Sequence, residues 1–309
     1  MSWLPLPLIR RCQRLAYRFW CRLQRRHGSV RRLVRAGKRY RQADGRRLAA
    51  AVSYYGFFAT FAMVLLGFAA LGYVVDDPGV QGAVQRFLDE NLPRVDTDAV
   101  RDAREATGLI AFASLLVIGL LWVDSLRSSV RAIWRIEEYP GGFFRRWFID
   151  GLALVGLGTL LAVSLTVALG AEALLGWLVE LIRAGELAPA EWLLLVVRFG
   201  LNFSVNTILA IAALTLLPRL RMPLRRVLPP ALLVAAGAEF LTSVGRLVVD
   251  RAEYNPAFQV VAGAAGLLVF LLILNQLILF AASLTATAEQ GRVVDLARRN
   301  GLRGSYYAS

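Results

Sequence analysis

The chain has 309 residues, of which 57% are hydrophobic and 19% are charged, and its mean hydropathy is +0.53. This composition excludes an ordinary soluble domain, in which about 25% of residues are charged, and it excludes an intrinsically disordered chain. One histidine, His27, and two cysteines without CxxC spacing, Cys12 and Cys21, exclude a histidine-rich metal centre and a disulfide framework.

The net charge of +14 is concentrated at the start of the chain. Residues 1–47 hold 15 Lys or Arg residues and a single acid, Asp44, whereas the remaining basic and acidic residues balance. Five arginines form one stripe at helical spacing, opposite an apolar and aromatic face: Arg11, Arg14, Arg18, Arg22 and Arg25. This pattern predicts an amphipathic helix that lies on the membrane surface and contacts anionic phospholipids.

Two alternatives for the tail remain open. It could serve only to set the membrane orientation, without forming a helix. More remotely, its charges could associate with nucleic acid, but no recognised nucleic-acid-binding fold accompanies them. We therefore expect the lipid bilayer and its anionic phospholipids as partners, and no nucleic acid.

Six apolar runs are long enough to cross a bilayer, which takes about 20 residues of helix. The predicted spans cover about residues 49–75, 107–123, 151–171, 193–217, 227–249 and 257–284. Asn255 as N-cap and Pro256 as the first helical residue favour a helix start for the last span. The sequence thus predicts an all-α polytopic bundle of six transmembrane helices.

The basic residues between the spans predict the orientation. Counting from the N-terminus, the tails and loops on one side hold 28 Lys or Arg residues, and those on the other side hold 6. Because cytoplasmic loops are enriched in Lys and Arg, both termini are expected to be cytoplasmic. The organisation is then a basic cytoplasmic tail (1–47), a transmembrane domain (48–288) and a short cytoplasmic C-terminal tail (289–309).

Several polar side chains lie at predicted membrane depth, where ionisable groups are costly and often functional. Glu239 is placed near mid-bilayer, and Arg198 and Arg246 nearer the outer side. Further polar residues share these spans: Asn202, Asn206, Ser243, Asn275 and Gln276. One interpretation is a polar cavity with a central carboxylate and a positive rim, suited to an anionic substrate or lipid headgroup. The other is structural, with interhelical hydrogen bonds and arginines that extend to the outer phosphates.

No enzyme or cofactor is predicted. The GxSxG, Walker, HExxH and GxGxxG motifs are absent, and the lone histidine lies outside the predicted bundle, so the common histidine-based chemistry lacks its base.

Three motifs occur in a characteristic order. An alanine run and paired tyrosines, Arg47-Leu-Ala-Ala-Ala-Val-Ser-Tyr-Tyr55, open the first span. Ala132-Ile-Trp134 follows the second span, and Leu216-Leu-Pro218 with a basic loop follows the fourth. Together with the six spans, and over roughly residues 35–290, these motifs resemble the YihY/BrkB family of bacterial inner-membrane proteins. The last span into Ala286 is similar to the family's final helix.

The chain also departs from the family pattern. Ala59 and Ala62 stand where the family has Ser and Pro, and Ala281-Ala-Ser-Leu-Thr285 lacks the Glu and Asn of the family's terminal motif, so no role of that Glu carries over. The resemblance implies a multi-pass protein of the bacterial plasma membrane with links to virulence. An older family label, ribonuclease BN, finds no support in metal-ligand motifs here.

Two classes of function are expected from these features. The first is a transporter or lipid-handling permease for an anionic small molecule or lipid. The second is a non-transporting scaffold or envelope-integrity protein. A second copy of the chain or an envelope protein would be a further partner in either class.

Overall fold

The computed structural model describes residues 28–74, 104–139, 142, 144, 147–156, 158–159, 190–251, 256–289 and 291–296. These residues form helices α1 (Gly28–Gln42), α2 (Gly45–Val74), α3 (Arg104–Trp134), α4 (Ala190–Thr215), α5 (Leu224–Arg251) and α6 (Pro256–Thr287), with strands β1 (Leu220–Arg221) and β2 (Val294–Asp295). A helical segment, Trp147–Gly156, lies between α3 and α4 in the chain. The structure is mostly helical, in agreement with the predicted all-α class.

Four helices within the described residues are long and apolar enough to cross a membrane. Their apolar stretches are Gly45–Val64, Phe112–Trp134, Leu224–Gly245 and Gly263–Thr287. They correspond to the first, second, fifth and sixth predicted spans. Of the predicted span 151–171 the structure describes only the beginning, and Phe199–Thr215 in α4 is a shorter apolar helix. The count of six spans and the cytoplasmic termini therefore remain predictions.

The helix boundaries differ from the predicted spans in one important place. The second span was predicted to end at residue 123, but α3 continues to Trp134. The added turns carry Asp124, Arg127 and Arg131, whose charges are paired within the protein. A charged residue ends the apolar run but not the helix, because arginine is itself a good helix former. The predicted start of the last helix at Pro256 is confirmed.

Most described helices begin or end together at one end of the bundle. Here the end of α3 contacts α1, the α4–α5 connection contacts α3, and the start of α5 contacts the end of α6. The segment Trp147–Gly156 also starts here, because Asp150 pairs with Arg219. We call this region the basic end.

Helix α1 packs against the end of α6 although it belongs to the predicted tail. The rings of Tyr40 and Phe280 meet edge to face, with their centroids 6.2 Å apart. Asp44, with φ of 52°, turns the chain into α2. The Tyr40 ring packs directly over Gly45, so a Cβ at position 45 would require this ring to move. Residues 28–42 are thus a docked helix, while residues 1–27, with the arginine stripe at 11–25, lie outside the described residues.

The buried core lies near the basic end, where all five long helices contribute. Val52, Ile133, Leu214, Val227 and Leu279 are fully or almost fully buried there. In contrast, only 28–39% of each membrane-length stretch is buried within the protein. Large apolar side chains cover the outside of the bundle, as lipid contact requires: Phe61, Phe112, Val117, Phe240 and Val269.

Candidate functional site

The structure joins two of the polar residues that the sequence placed in the membrane. The side-chain amide of Asn206, on α4, donates a hydrogen bond to a carboxylate oxygen of Glu239, on α5, over 3.0 Å. Both residues are partly buried between the two packed helices. Glu239 is fifteen residues from the start of α5 at the basic end, about 22 Å of helix rise. A carboxylate therefore lies deep within an apolar span.

Two other predicted polar residues lie close in sequence to this pair. The Ser243 hydroxyl is exposed and donates to the backbone carbonyl of Glu239 over 2.9 Å, a bond within one helix. Asn202, one helical turn before Asn206 on α4, is partly buried. The polar surface around Glu239 is thus built from α4 and α5.

The two polar residues on α6, Asn275 and Gln276, are not part of the polar surface around Glu239. The Asn275 amide is buried and donates to the hydroxyl of Ser53, on α2, over 3.0 Å. Ser53 in turn donates to the carbonyl of Ala49 over 2.7 Å. Gln276, the next residue, is partly buried. Asn275 therefore links α6 to α2, a structural hydrogen bond of the kind that joins membrane helices.

The two arginines of the predicted positive rim are placed by their backbone alone. Arg198 lies eight residues before Asn206 in α4, and Arg246 lies seven residues after Glu239 in α5. Because these helices run antiparallel, both positions are displaced toward the end opposite the basic end, by roughly 10–12 Å of helix rise. Their side chains lie outside the described residues, so the predicted shared cavity is not tested.

A network of buried charges occupies the basic end. The Arg127 side chain is 1% exposed and pairs with Asp124 on its own helix and with Asp150, its Nε lying 3.1 Å from Asp150 Oδ1. Arg219 reaches the same Asp150 oxygen over 3.1 Å. Asp150 therefore joins α3 and the α4–α5 connection to the segment Trp147–Gly156.

A second part of the network attaches the C-terminal strap, residues 291–296. Arg131 pairs with both carboxylate oxygens of Asp295, over 3.1 and 2.7 Å. It also donates to the backbone carbonyls of Glu137 (2.6 Å) and Pro218 (2.8 Å). Since β1 and β2 pair as an antiparallel ribbon, Arg131 and the ribbon together fix the strap to the α4–α5 connection. We call the residues Asp124, Arg127, Arg131, Asp150, Arg219 and Asp295 the arginine–aspartate network.

Two further arginines close helix ends. Arg226 is buried, lies over the Trp134 ring, and donates to the carbonyls of Thr285 (2.8 Å) and Gly291 (3.1 Å). Arg39 donates to the carbonyls of Ile133 (2.7 Å) and Trp134 (3.1 Å). The last carbonyls of a helix have no partner within the helix, so these arginines satisfy the ends of α6 and α3.

Burial and neighbouring charges shift the pKa values of this region. Burial lowers the pKa of Arg219; Asp150 acts in the opposite direction, while Arg127 and Arg131 lower it further. Burial, and then the charge of Arg135, lowers the pKa of Arg39. Guanidinium groups nevertheless remain protonated at physiological pH, so the network keeps its three positive charges beside three aspartates.

Sequence reasoning missed this network because it treated the arginines of residues 124–150 and 219–226 only as an orientation signal. One local signal was present. Asp124, Arg127 and Arg131 follow one another at spacings of three and four residues, which places them on one helix face. Their partners Asp150 and Asp295 are distant in sequence, so no spacing rule could identify them.

A cavity of about 450 Å³ also lies at the basic end, between α4, the α4–α5 connection and the strap. Its wall includes Thr215, Arg219 and Leu296 but not Glu239, which lies farther along α5. The cavity and the Asn206–Glu239 pair are therefore separate features.

Apolar spans, an apolar outer surface and charges gathered at one end define a multi-pass membrane protein. The family model described as Virulence factor BrkB matches residues 36–302, and the chain belongs to this family. The predicted family resemblance is thus confirmed.

Curated relatives give the membrane in which such proteins reside. The chain is 27% identical to the inner membrane protein YhjD of Escherichia coli (strain K12) over 276 residues, 83% of this chain and 80% of that protein. It is 26% identical to an uncharacterized protein of Dickeya dadantii (strain 3937) over 290 residues, 87% of each chain. No solved structure shows a significant match. The protein is a multi-pass inner-membrane protein, as predicted.

Proposed function

We propose that this protein is a permease that moves an anionic small molecule or lipid across the bacterial plasma membrane. The observation that carries the proposal is the Asn206–Glu239 pair, which lies between α5, long and apolar enough to cross a membrane, and the shorter apolar helix in α4. A carboxylate in a transmembrane segment costs roughly 2.5–3.5 kcal/mol on insertion scales, and such residues commonly mark substrate or proton pathways. The amide of Asn206 is a neutral partner, so this hydrogen bond does not compensate the charge of the carboxylate.

The arrangement of α4 and α5 supports this role. Arg198 and Arg246 lie on the same two helices, displaced toward the opposite end from Glu239. In the proposal they attract an anion to the opening of a pathway, and Glu239 couples its passage to protonation. The six spans and cytoplasmic termini predicted from the sequence belong to the same proposal, with the basic end facing the cytoplasm.

A non-transporting scaffold or envelope-integrity protein is the second candidate. The observation in its favour is the arginine–aspartate network, which joins α3, the segment Trp147–Gly156, the α4–α5 connection and the strap through buried ion pairs. Such a network holds these elements together, as a scaffold requires. The two candidates differ in what they require of Glu239.

The decisive variant is Glu239→Gln, which keeps the shape and most hydrogen bonding of the side chain but removes its ionisation. The permease role predicts that this variant inserts and folds normally yet fails to complement a deletion strain. Glu289→Gln is the matched control, because it removes an exposed carboxylate outside the span. Full complementation by Glu239→Gln would contradict the role. Loss of folded protein would instead assign Glu239 to packing.

Reconstitution addresses lipid handling directly. In proteoliposomes that contain a fluorescent phosphatidylglycerol, the wild type should move the labelled lipid between leaflets, as measured by dithionite quenching, and Glu239→Gln should not. Unchanged lipid distribution with the wild type, combined with full complementation by Glu239→Gln, would favour the scaffold.

The proposed orientation has its own test. In a background without Cys12 and Cys21, single cysteines at Asp89 and Gly185 should react with an impermeant reagent in whole cells. A cysteine at Arg225, which is exposed at the basic end, should not react. Labelling at position 225 from outside the cell would reverse the orientation.

A further inference from the structure

The cavity at the basic end lies where the membrane spans begin. Thr215 ends the apolar helix Phe199–Thr215, Leu224 starts the apolar stretch of α5, and both line the cavity. A volume of about 450 Å³ falls within the range of about 300–1,000 Å³ typical of small-ligand sites. If these stretches cross the bilayer, the cavity lies at one end of them, where lipid headgroups meet acyl chains.

The cavity combines an exposed apolar wall with positive charge. Leu216, Leu224 and Leu296 line it and are 71%, 67% and 60% exposed. Arg219 and Arg221 are its charged lining residues, and no carboxylate lines it among the residues that the structure describes. Such a combination is complementary to an amphiphile with a negative headgroup.

The two arginines differ in how far their charges are already compensated. Arg219 is mostly buried and pairs with Asp150 over 3.1 Å. Arg221 is exposed on β1, and within the described part of the chain its guanidinium makes no hydrogen bond or ion pair. Arg221 is therefore the available donor, and a guanidinium is well suited to bind a phosphate through two parallel hydrogen bonds.

We propose that this cavity is a specific binding site for one anionic phospholipid of the adjacent leaflet, with its phosphate at Arg221 and an acyl chain along the leucine wall. The site is distinct from the surface contact predicted for the N-terminal tail. It also does not depend on the role proposed for Glu239, because the cavity and Glu239 lie apart and the two roles are tested by different variants.

Native mass spectrometry of the full-length protein in detergent tests the site with phosphatidylglycerol and phosphatidylcholine of identical acyl chains. The wild type should bind one phosphatidylglycerol more tightly than phosphatidylcholine. Arg221→Gln should weaken phosphatidylglycerol binding about tenfold or more, since it removes a charge-assisted hydrogen bond. Leu296→Ser should weaken the binding of both lipids.

Arg225→Gln is the matched control, because Arg225 is also exposed at the basic end but does not line the cavity. Its affinity for phosphatidylglycerol should fall at most about fivefold. A loss of this size corresponds to the general attraction of one basic residue to an anionic surface. Equal losses for Arg221→Gln and Arg225→Gln would overturn the specific site. Displacement of the lipid by inorganic phosphate alone would also overturn it, because the site would then recognise a free anion.

Discussion

The ion pair between Arg131 and Asp295 permits the sharpest prediction about stability. Both side chains are buried, at 1% and 6% exposure, and they share two hydrogen bonds. Asp295→Asn removes the carboxylate that pairs with Arg131 among the described residues, while the Arg131 guanidinium stays buried. Breaking a buried pair in this way costs about 3–5 kcal/mol. Because Arg131 keeps its hydrogen bonds to the backbone carbonyls of Glu137 and Pro218, we expect a cost at the lower end of this range, about 3 kcal/mol.

Thermal unfolding of the purified protein in detergent measures this cost. A free-energy change of 1 kcal/mol shifts the midpoint by roughly 2–4 °C in domains of 150–250 residues, so Asp295→Asn should lower the melting temperature by roughly 6–12 °C. Glu289→Gln is the control, because it removes a carboxylate from the same C-terminal region whose pair with Arg35 is largely exposed. An exposed pair is screened by solvent and contributes little to stability.

The outcome that would refute this reasoning is equal melting temperatures for the two variants. It would mean that the buried charge of Arg131 is neutralised by other groups, or that the strap does not hold the basic end together. A large shift confined to Asp295→Asn would show that the strap belongs to the folded core of the bundle.

Three further predictions concern single contacts. The hydrogen bond from Arg35, and then its charge, hold the pKa of Glu289 below its ordinary value of 4.5. The small stabilising effect of this pair should therefore be present above pH 4.5 and disappear as the pH falls through the lowered pKa. Melting curves of the wild type and Glu289→Gln should converge at that lower pH. Gly291→Ala should lower the free energy of unfolding by about 1–3 kcal/mol in chemical denaturation, since residue 291 has φ of +77° and an added Cβ would lie 2.5 Å from Pro223. Gly200→Ala is the control and should not show this loss, because a Cβ there meets no atom within 4 Å. A double-mutant cycle of Asn275→Ala and Ser53→Ala should give a coupling free energy of about 0.6 kcal/mol, and a value of zero would contradict the hydrogen bond between α6 and α2.

The sequence was sufficient to predict the apolar helices and one of their boundaries. Charge-free runs identify them because membrane depth excludes unpaired charge, and Pro256 starts α6 because its missing N–H costs nothing at a first helical position. The same logic ended the second apolar run at residue 123, whereas the helix that contains it continues to Trp134. A charge inside the folded protein is tolerated when a partner is present, and Arg127 has two.

The candidate site was predicted only in part. Glu239 and Asn206 were both identified as polar residues at membrane depth, but their contact depends on how α4 and α5 pack, which no periodicity specifies. Asn275 was grouped with them although it bonds to Ser53 on α2. The docking of α1 was not predicted for a similar reason. Its many arginines indicated a solvent-exposed tail, but Arg39 donates hydrogen bonds to the last backbone carbonyls of α3.

The distribution of polar contacts along the bundle bears on how a permease of this kind would move. At the basic end, ion pairs, arginine-capped helix ends and the ribbon of β1 and β2 join nearly every element, so separation there would expose several buried charges at once. Around Glu239, the described contact between α4 and α5 includes one side-chain hydrogen bond, and the neighbouring Phe240 is exposed. Breaking a single hydrogen bond costs far less than breaking a buried ion pair. If the protein transports its substrate, the helices should therefore separate at Glu239 and toward the opposite end, while the basic end stays closed as the fixed point of the motion.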